Sequence, residues 1–161
     1  MVSAKPAPHR LIAPSNSSLQ DEDVAALVGQ ACTADRYRDR RILLIIPDGT
    51  RTAPVGLMFK TLHAQIGAVT ARFDVMVALG THPAMSAEAI NARVEISAEE
   101  RTTTYKDVEF LNHEWDNPGT LRNLGVIPGE EITELSGGLF AMDVPVHINQ
   151  RIFDYDQLII I

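Results

Sequence analysis

The run Arg41-Ile42-Leu43-Leu44-Ile45-Ile46-Pro47-Asp48-Gly49-Thr50-Arg51 contains five consecutive apolar residues, Ile42 to Ile46, that leave no polar face. Such a run reads as a strand buried on both sides, the mark of a parallel sheet. Pro47 ends it, because proline donates no hydrogen bond to a central ladder. Asp48-Gly49 then predicts a turn. An acid, a hydroxyl and a guanidinium (Asp48, Thr50 and Arg51) follow at the strand's carboxyl end, where open α/β sheets bind ligands. The plainer alternative is an ordinary Asp-Gly turn with Arg51 paired to a surface carboxylate.

Working outward, the same strand-then-loop pattern recurs. Pro54 suits a helix first turn, and Val55, Met58, Phe59, Leu62 and Ile66 have helical spacing up to a stop at Gly67. A second buried strand runs from Phe73 to Leu79, interrupted by Asp74, and leads into Gly80-Thr81-His82-Pro83. Helices are predicted over Ser86–Arg93 and from Ser97, where Glu99 and Glu100 sit in the first turn. A third strand, Val108 to Leu111, ends in Asn112-His113-Glu114-Trp115-Asp116. Between Thr120 and Ile148, β-prone pieces and Pro-Gly or Gly-Gly turns read as a small antiparallel excursion. Arg151 to Asp156 reads as a short helical crossing, and Gln157 to Ile161 as a fourth buried strand. Upstream, Ser18 or Asp21 caps a helix running to Ala34, and Arg36 to Arg41 is a charged connector. The expected fold is α/β: a Rossmann-like open, mostly parallel sheet with flanking helices. Residues 1–18, rich in proline and serine, are expected to be a mobile lead-in to a domain over 19–161.

A chain of 161 residues with 45% apolar content can build one real core. Its net charge of −7 argues against nucleic acid and against anionic membrane surfaces as partners. The single cysteine, Cys32, permits no internal disulfide, which fits a cytoplasmic location. No signal-peptide core and no membrane-length apolar segment is present. The four apolar residues at the chain's end, where a strand-end loop would supply chemistry, suggest the amino-terminal part of a longer protein. An exposed half-cleft and a bare terminal strand also invite homo-oligomers.

Three strand-end loops are expected on one sheet edge, carrying Asp48, Thr50 and Arg51, then Thr81 and His82, then His113 and Asp116. Arg51 can grip a carboxylate or phosphate with two parallel hydrogen bonds. An imidazole is suited to proton transfer near neutral pH, so His82 can move a proton. Asp48 can orient a histidine or accept from sugar hydroxyls. His113 reads equally well as a turn residue. His63, His147 and Cys32 read as structural, and Trp115 either walls a pocket or caps the sheet edge. Phosphate loops, zinc-helix histidine pairs, cysteine clusters and nucleophile elbows are absent, and no metal ligand is assigned.

Pro47-Asp48-Gly49-Thr50-Arg51, Leu79-Gly80-Thr81-His82-Pro83-Ala84-Met85 and Asn112-His113, in this order and spacing, resemble the amino-terminal domain of the nickel-pincer lactate racemases. The resemblance covers Leu19 to Ile161. Thr52 departs from it, since many members have proline there. The resemblance implies a 2-hydroxyacid racemase or epimerase, an isomerase that passes a hydride to a nickel-pincer nucleotide. His82 then matches one of two acid/base groups, Arg51 a residue near anionic groups, and Asp48 an acid of the same pocket. Thr50, Thr81 and His113 are expected to line the substrate or cofactor. The second acid/base histidine, the tethering lysine and the nickel ligand of the family lie downstream of the strand matching Leu158–Ile161. Lys5, Lys60 and Lys106 are this chain's only lysines and match no family motif. These residues alone are therefore expected to be inactive and to need a carboxy-terminal domain as partner. Two other classes stay open: a stand-alone small-anion or nucleotide-binding module, and a hydrolase or lyase holding a divalent metal through His82, His113 and Asp48.

Overall fold

The computed structural model describes residues 9–161. The expected lead-in falls partly outside the described residues, and residues 9–18 form no helix or strand. The chain then runs α1 (Asp21–Ala31), α2 (Ala34–Tyr37), β1 (Arg41–Pro47), α3 (Val55–Leu62), β2 (Arg72–Ala78), α4 (Ala87–Arg93) and α5 (Ala98–Thr102). It continues with β3 (Phe110–Asn112), β4 (Leu121–Ile127), α6 (Gly129–Leu135), β5 (Val144–Asn149) and β6 (Gln157–Ile160).

Four strands form one parallel sheet in the order β3-β2-β1-β6. Because β1 has a partner on each side, its backbone is satisfied and both faces must be covered. On one face Ile42, Leu44 and Ile46 pack with Phe73, Val75 and Val77 of β2 under Phe59, Leu62, Ile66 and Ile90 of the helical layer. On the other face Leu43 and Met76 pack with Tyr155, beside Ile45, Leu111 and Ile152. The gapless apolar run of β1 thus serves two cores. The antiparallel excursion is the separate pair β4-β5, with a register shift between Asn123 and Gly125.

Asp74, the polar interruption in β2, is 1% exposed and fully partnered. Its Oδ1 accepts from Glu109 N (2.8 Å) and its Oδ2 from Tyr155 Oη (2.6 Å), while Arg72 pairs with the same carboxylate. It ties the root of β2 to the segment before β3 and to the crossing that delivers β6. At the same end Arg41 holds Asp156 with its backbone N–H (2.8 Å) and Nη2 (2.9 Å), fixing β6 in register with β1.

Three expectations need correction. The first helix stops at Ala31, and the connector contains α2, whose Tyr37 is buried under the helical layer. Between β4 and β5 stands α6, because Glu130 and Glu131 place two acids in a first turn opened by Pro128 and Gly129. The last strand is a half-covered edge, with Leu158 37% and Ile160 73% exposed, since within the described residues β6 is hydrogen-bonded only to β1. The helix expected to end at Gly67 does end there, its last turn, His63–Gly67, being a π turn. His63 itself packs edge-on against Phe73 and Tyr105, and burial lowers its pKa, as suits a structural histidine.

Candidate functional site

The chain moves outward from β1 to β2 to β3 and then returns to the other side of β1 as β6. The strand order therefore reverses at β1/β6, and a cleft opens outside the carboxyl ends of strands at such a point. A cavity of about 320 Å³ lies there, lined by Pro47, Asp48, Thr50, Arg51, Thr81 and His82, with Ile160 and Ile161 of the β6 end opposite.

Asp48 is 6% exposed, yet every partner it has is local or faces the cavity. Thr50 donates to its Oδ1 from both its hydroxyl (2.5 Å) and its backbone N–H (3.0 Å), closing a turn around the carboxylate. The other oxygen, Oδ2, lies 2.6 Å from His82 Nδ1. The Thr50 hydroxyl, then the Thr50 N–H, then His82 hold the Asp48 pKa at about 2. A carboxylate that stays ionised only accepts, so Nδ1 of His82 carries a hydrogen. Neutral His82 therefore keeps Nε2 bare, as a base requires.

Two devices place His82. Gly80 has φ +57°, a left-handed conformation that swings the chain round so that His82 N–H reaches Leu79 O (2.9 Å). Trp115 Nε1 donates to the His82 carbonyl at 3.1 Å. Further along the same loop, Asn112 grips Met85 twice, accepting from its N–H (3.1 Å) and donating to its carbonyl (2.9 Å). Arg51 is exposed, and among the described residues only its backbone is engaged: Arg93 donates to Arg51 O (2.9 Å) and to Pro47 O (3.0 Å). Arg93 thereby staples both ends of the Asp48 turn and leaves the Arg51 guanidinium facing the cavity.

The family model of the lactate racemase N-terminal domain matches residues 17–161. The chain belongs to this family. Among solved structures, a Thermotoga maritima protein, a Northeast Structural Genomics Consortium target, aligns with a TM-score of 0.74 and 26% identity. The alignment covers 88% of this chain and 33% of that one, so the chain spans a third of that relative's length. No curated protein matches.

In this lactate racemase N-terminal domain, the first two loops share the cavity and the third lies beside it. Asp48, Thr50, Arg51, Thr81 and His82 share the cavity at the reversal point. His113 does not line it. Its N–H bonds Val77 O (3.0 Å), and Asn149 Nδ2 approaches its Nδ1 at 2.9 Å. The Asn149 carbonyl already accepts from Arg151 N (2.9 Å), so the amide donates and neutral His113 carries its hydrogen on Nε2. The two histidines thus hold opposite tautomers. Asp116 is exposed on a smaller recess of about 230 Å³ between the second and third loops. Among the described residues no group of three His, Cys, Asp or Glu is placed to hold a metal, so the His82–His113–Asp48 metal site does not form. Sequence reasoning missed Arg93 and Asn112 as clamps, because a side chain bonding a distant carbonyl leaves no local pattern.

Proposed function

We propose that this domain supplies the anion-gripping group and one acid/base group of a 2-hydroxyacid racemase or epimerase of the lactate type. The observation that carries the reading is the Asp48–His82 pair at 2.6 Å in one cavity with the free Arg51 guanidinium. Arg51 would take the substrate carboxylate through two parallel hydrogen bonds. His82 Nε2 would accept the proton of the α-hydroxyl and return it when the product forms. Asp48 would hold the ring in the Nδ1–H tautomer and offset the charge of the imidazolium. Thr50 keeps Asp48 ionised, and Thr81 lines the same space.

The family resemblance also implies a nickel-pincer nucleotide, which supplies a hydride acceptor when bound. The described residues do not fit its metal or tethered end: there is no cluster of ligating side chains, and neither Lys60 nor Lys106 lines the cavity. In this reading those parts, and the second acid/base group, come from a carboxy-terminal domain closing on the cleft, and the 161 residues alone are inactive.

The test is α-hydrogen exchange on a panel of 2-hydroxy acids. The enzyme is produced from the full reading frame with nickel and the cofactor-making enzymes, beside Arg51→Ala and His82→Ala. Loss of exchange in both variants is the expected result. Binding of small anions with no exchange on any acid, cofactor loaded, would instead make the domain a binding module.

A further inference from the structure

A 2-hydroxy acid presents three groups on its reacting carbon besides hydrogen. In the reading above, Arg51 takes the carboxylate and His82 the hydroxyl, and the third group, the substrate side chain, is unassigned. A second, larger cavity of about 530 Å³ opens directly beside the first. The two share Ile45, Ala78 and Ile160, the carboxyl ends of β1, β2 and β6. The second runs between the Met76 face of the sheet and the β4-β5 pair, walled by Met76, Ile152 and Leu158, with His113, His147 and Asn149 also lining it. Trp115 closes the end nearest the chemistry, and its indole N–H is bonded to the His82 carbonyl at 3.1 Å.

We infer that this apolar slot receives the substrate side chain. Resting on the racemase reading, the inference is that the enzyme prefers 2-hydroxy acids with an aromatic or large branched side chain over lactate. A lactate methyl would leave most of the slot empty and its walls in water. Ile160 is 73%, Trp115 39% and Leu158 37% exposed as the chain stands, an apolar surface that an aromatic ring would cover. The first cavity is smaller, and the charged and hydroxyl groups of Asp48, Thr50, Arg51, Thr81 and His82 break up its apolar wall. The recess on the other side of His82, about 230 Å³, is less than half the size of the slot and sets Glu114 and Asp116 beside Leu79, Pro83 and Ala84. Trp115 supplies a flat wall suited to stacking on a ring.

The experiment compares phenyllactate with lactate on the full-length, cofactor-loaded enzyme, by kcat/KM for α-hydrogen exchange and by calorimetric binding. The expected preference for phenyllactate is tenfold or more in both, about 1.4 kcal/mol. Leu158→Trp, which fills the slot from a position outside the first cavity, is expected to bring the ratio below twofold. Leu158→Phe reads the same ratio should the tryptophan variant fail to fold. Equal use of the two acids by the wild type would overturn the slot assignment and leave the racemase reading standing. A preference untouched by either variant would overturn it as well. Exchange and binding on neither acid would remove the racemase reading itself.

Discussion

Asp74→Ala tests what roots the sheet. Asp74 is buried at the end of β2 opposite the cleft and satisfies the Glu109 N–H and the Tyr155 hydroxyl while pairing with Arg72. Truncation leaves the buried Tyr155 hydroxyl and the part-buried Glu109 N–H without acceptors, each costing about 1–3 kcal/mol. Arg72 is exposed and keeps water and Glu109 as partners, so the expected loss is that of the two donors, about 2–4 kcal/mol. Tyr155→Phe removes one hydrogen bond to a charged acceptor and leaves Asp74 its other partners, so about 2 kcal/mol is expected. In the double variant the second change costs little, giving a coupling of about 1–2 kcal/mol. Urea unfolding at pH 7 reads these values from the midpoint at constant slope. A pH signature accompanies them. Burial first, then Asp74, raises the Tyr155 pKa above its ordinary 10.0. The folded state then keeps a proton that the unfolded chain releases, so the stability is present below pH 10 and is lost as pH rises beyond it. Burial raises Tyr37 and Tyr105 too, so Tyr155→Phe should shrink this alkaline limb without abolishing it. An Asp74→Ala loss under 1 kcal/mol, or additive single changes, would refute the reasoning.

Three further outcomes are expected. Asp48 and Asp156 are held at about 2, below the ordinary 3.8, so the stability they confer is present above pH 3.8 and lost on descent toward 2. Asp156→Asn should flatten that acid limb in urea midpoints taken at several pH values, and an unchanged limb counts against the Arg41 tie. Gly80→Ala should cost about 1–2 kcal/mol because φ is +57° there, whereas Gly49→Ala, with open space and no positive φ, should stay within about 0.5 kcal/mol. Equal costs would contradict the left-handed turn. Arg93→Gln should raise amide hydrogen exchange across residues 48–52 and cost about 1–2 kcal/mol by releasing the carbonyls of Pro47 and Arg51. Protection as in the wild type would mean the turn holds without its staple.

The sheet was legible because its cause is local. Ile42–Ile46 has no polar face, and only a strand covered on both sides accommodates that. The first two loops were legible for the same reason, since strand ends are marked by Pro47 and Gly80 and the polar residues follow at once. Helix α6 had a local signal in Glu130 and Glu131, but flanking Pro-Gly and Gly-Gly turns suggested strands throughout the excursion. The position of His113 had none. Whether it joins His82 depends on Asn149, 36 residues away, whose amide captures its ring. The edge character of β6 is also invisible locally, because Leu158 to Ile161 reads the same in the centre of a sheet as at its rim.

That edge is where fold and proposed chemistry meet. The cleft exists because the strand order reverses at β1, and the reversal exists only once β6 has docked. The docking is held from the far end by Arg41 on Asp156, one residue before the strand, and by the Tyr155 hydroxyl on Asp74, two before it. Ile160 then stands at the carboxyl end of β6 and walls both cavities. The polar residues that line the first cavity all come from β1, β2 and their loops, but its far wall is made by the last strand. Loosening the Asp74–Tyr155 root should therefore weaken ligand binding without touching Arg51 or His82. It should do so in proportion to the loss of hydrogen-exchange protection along residues 157–160.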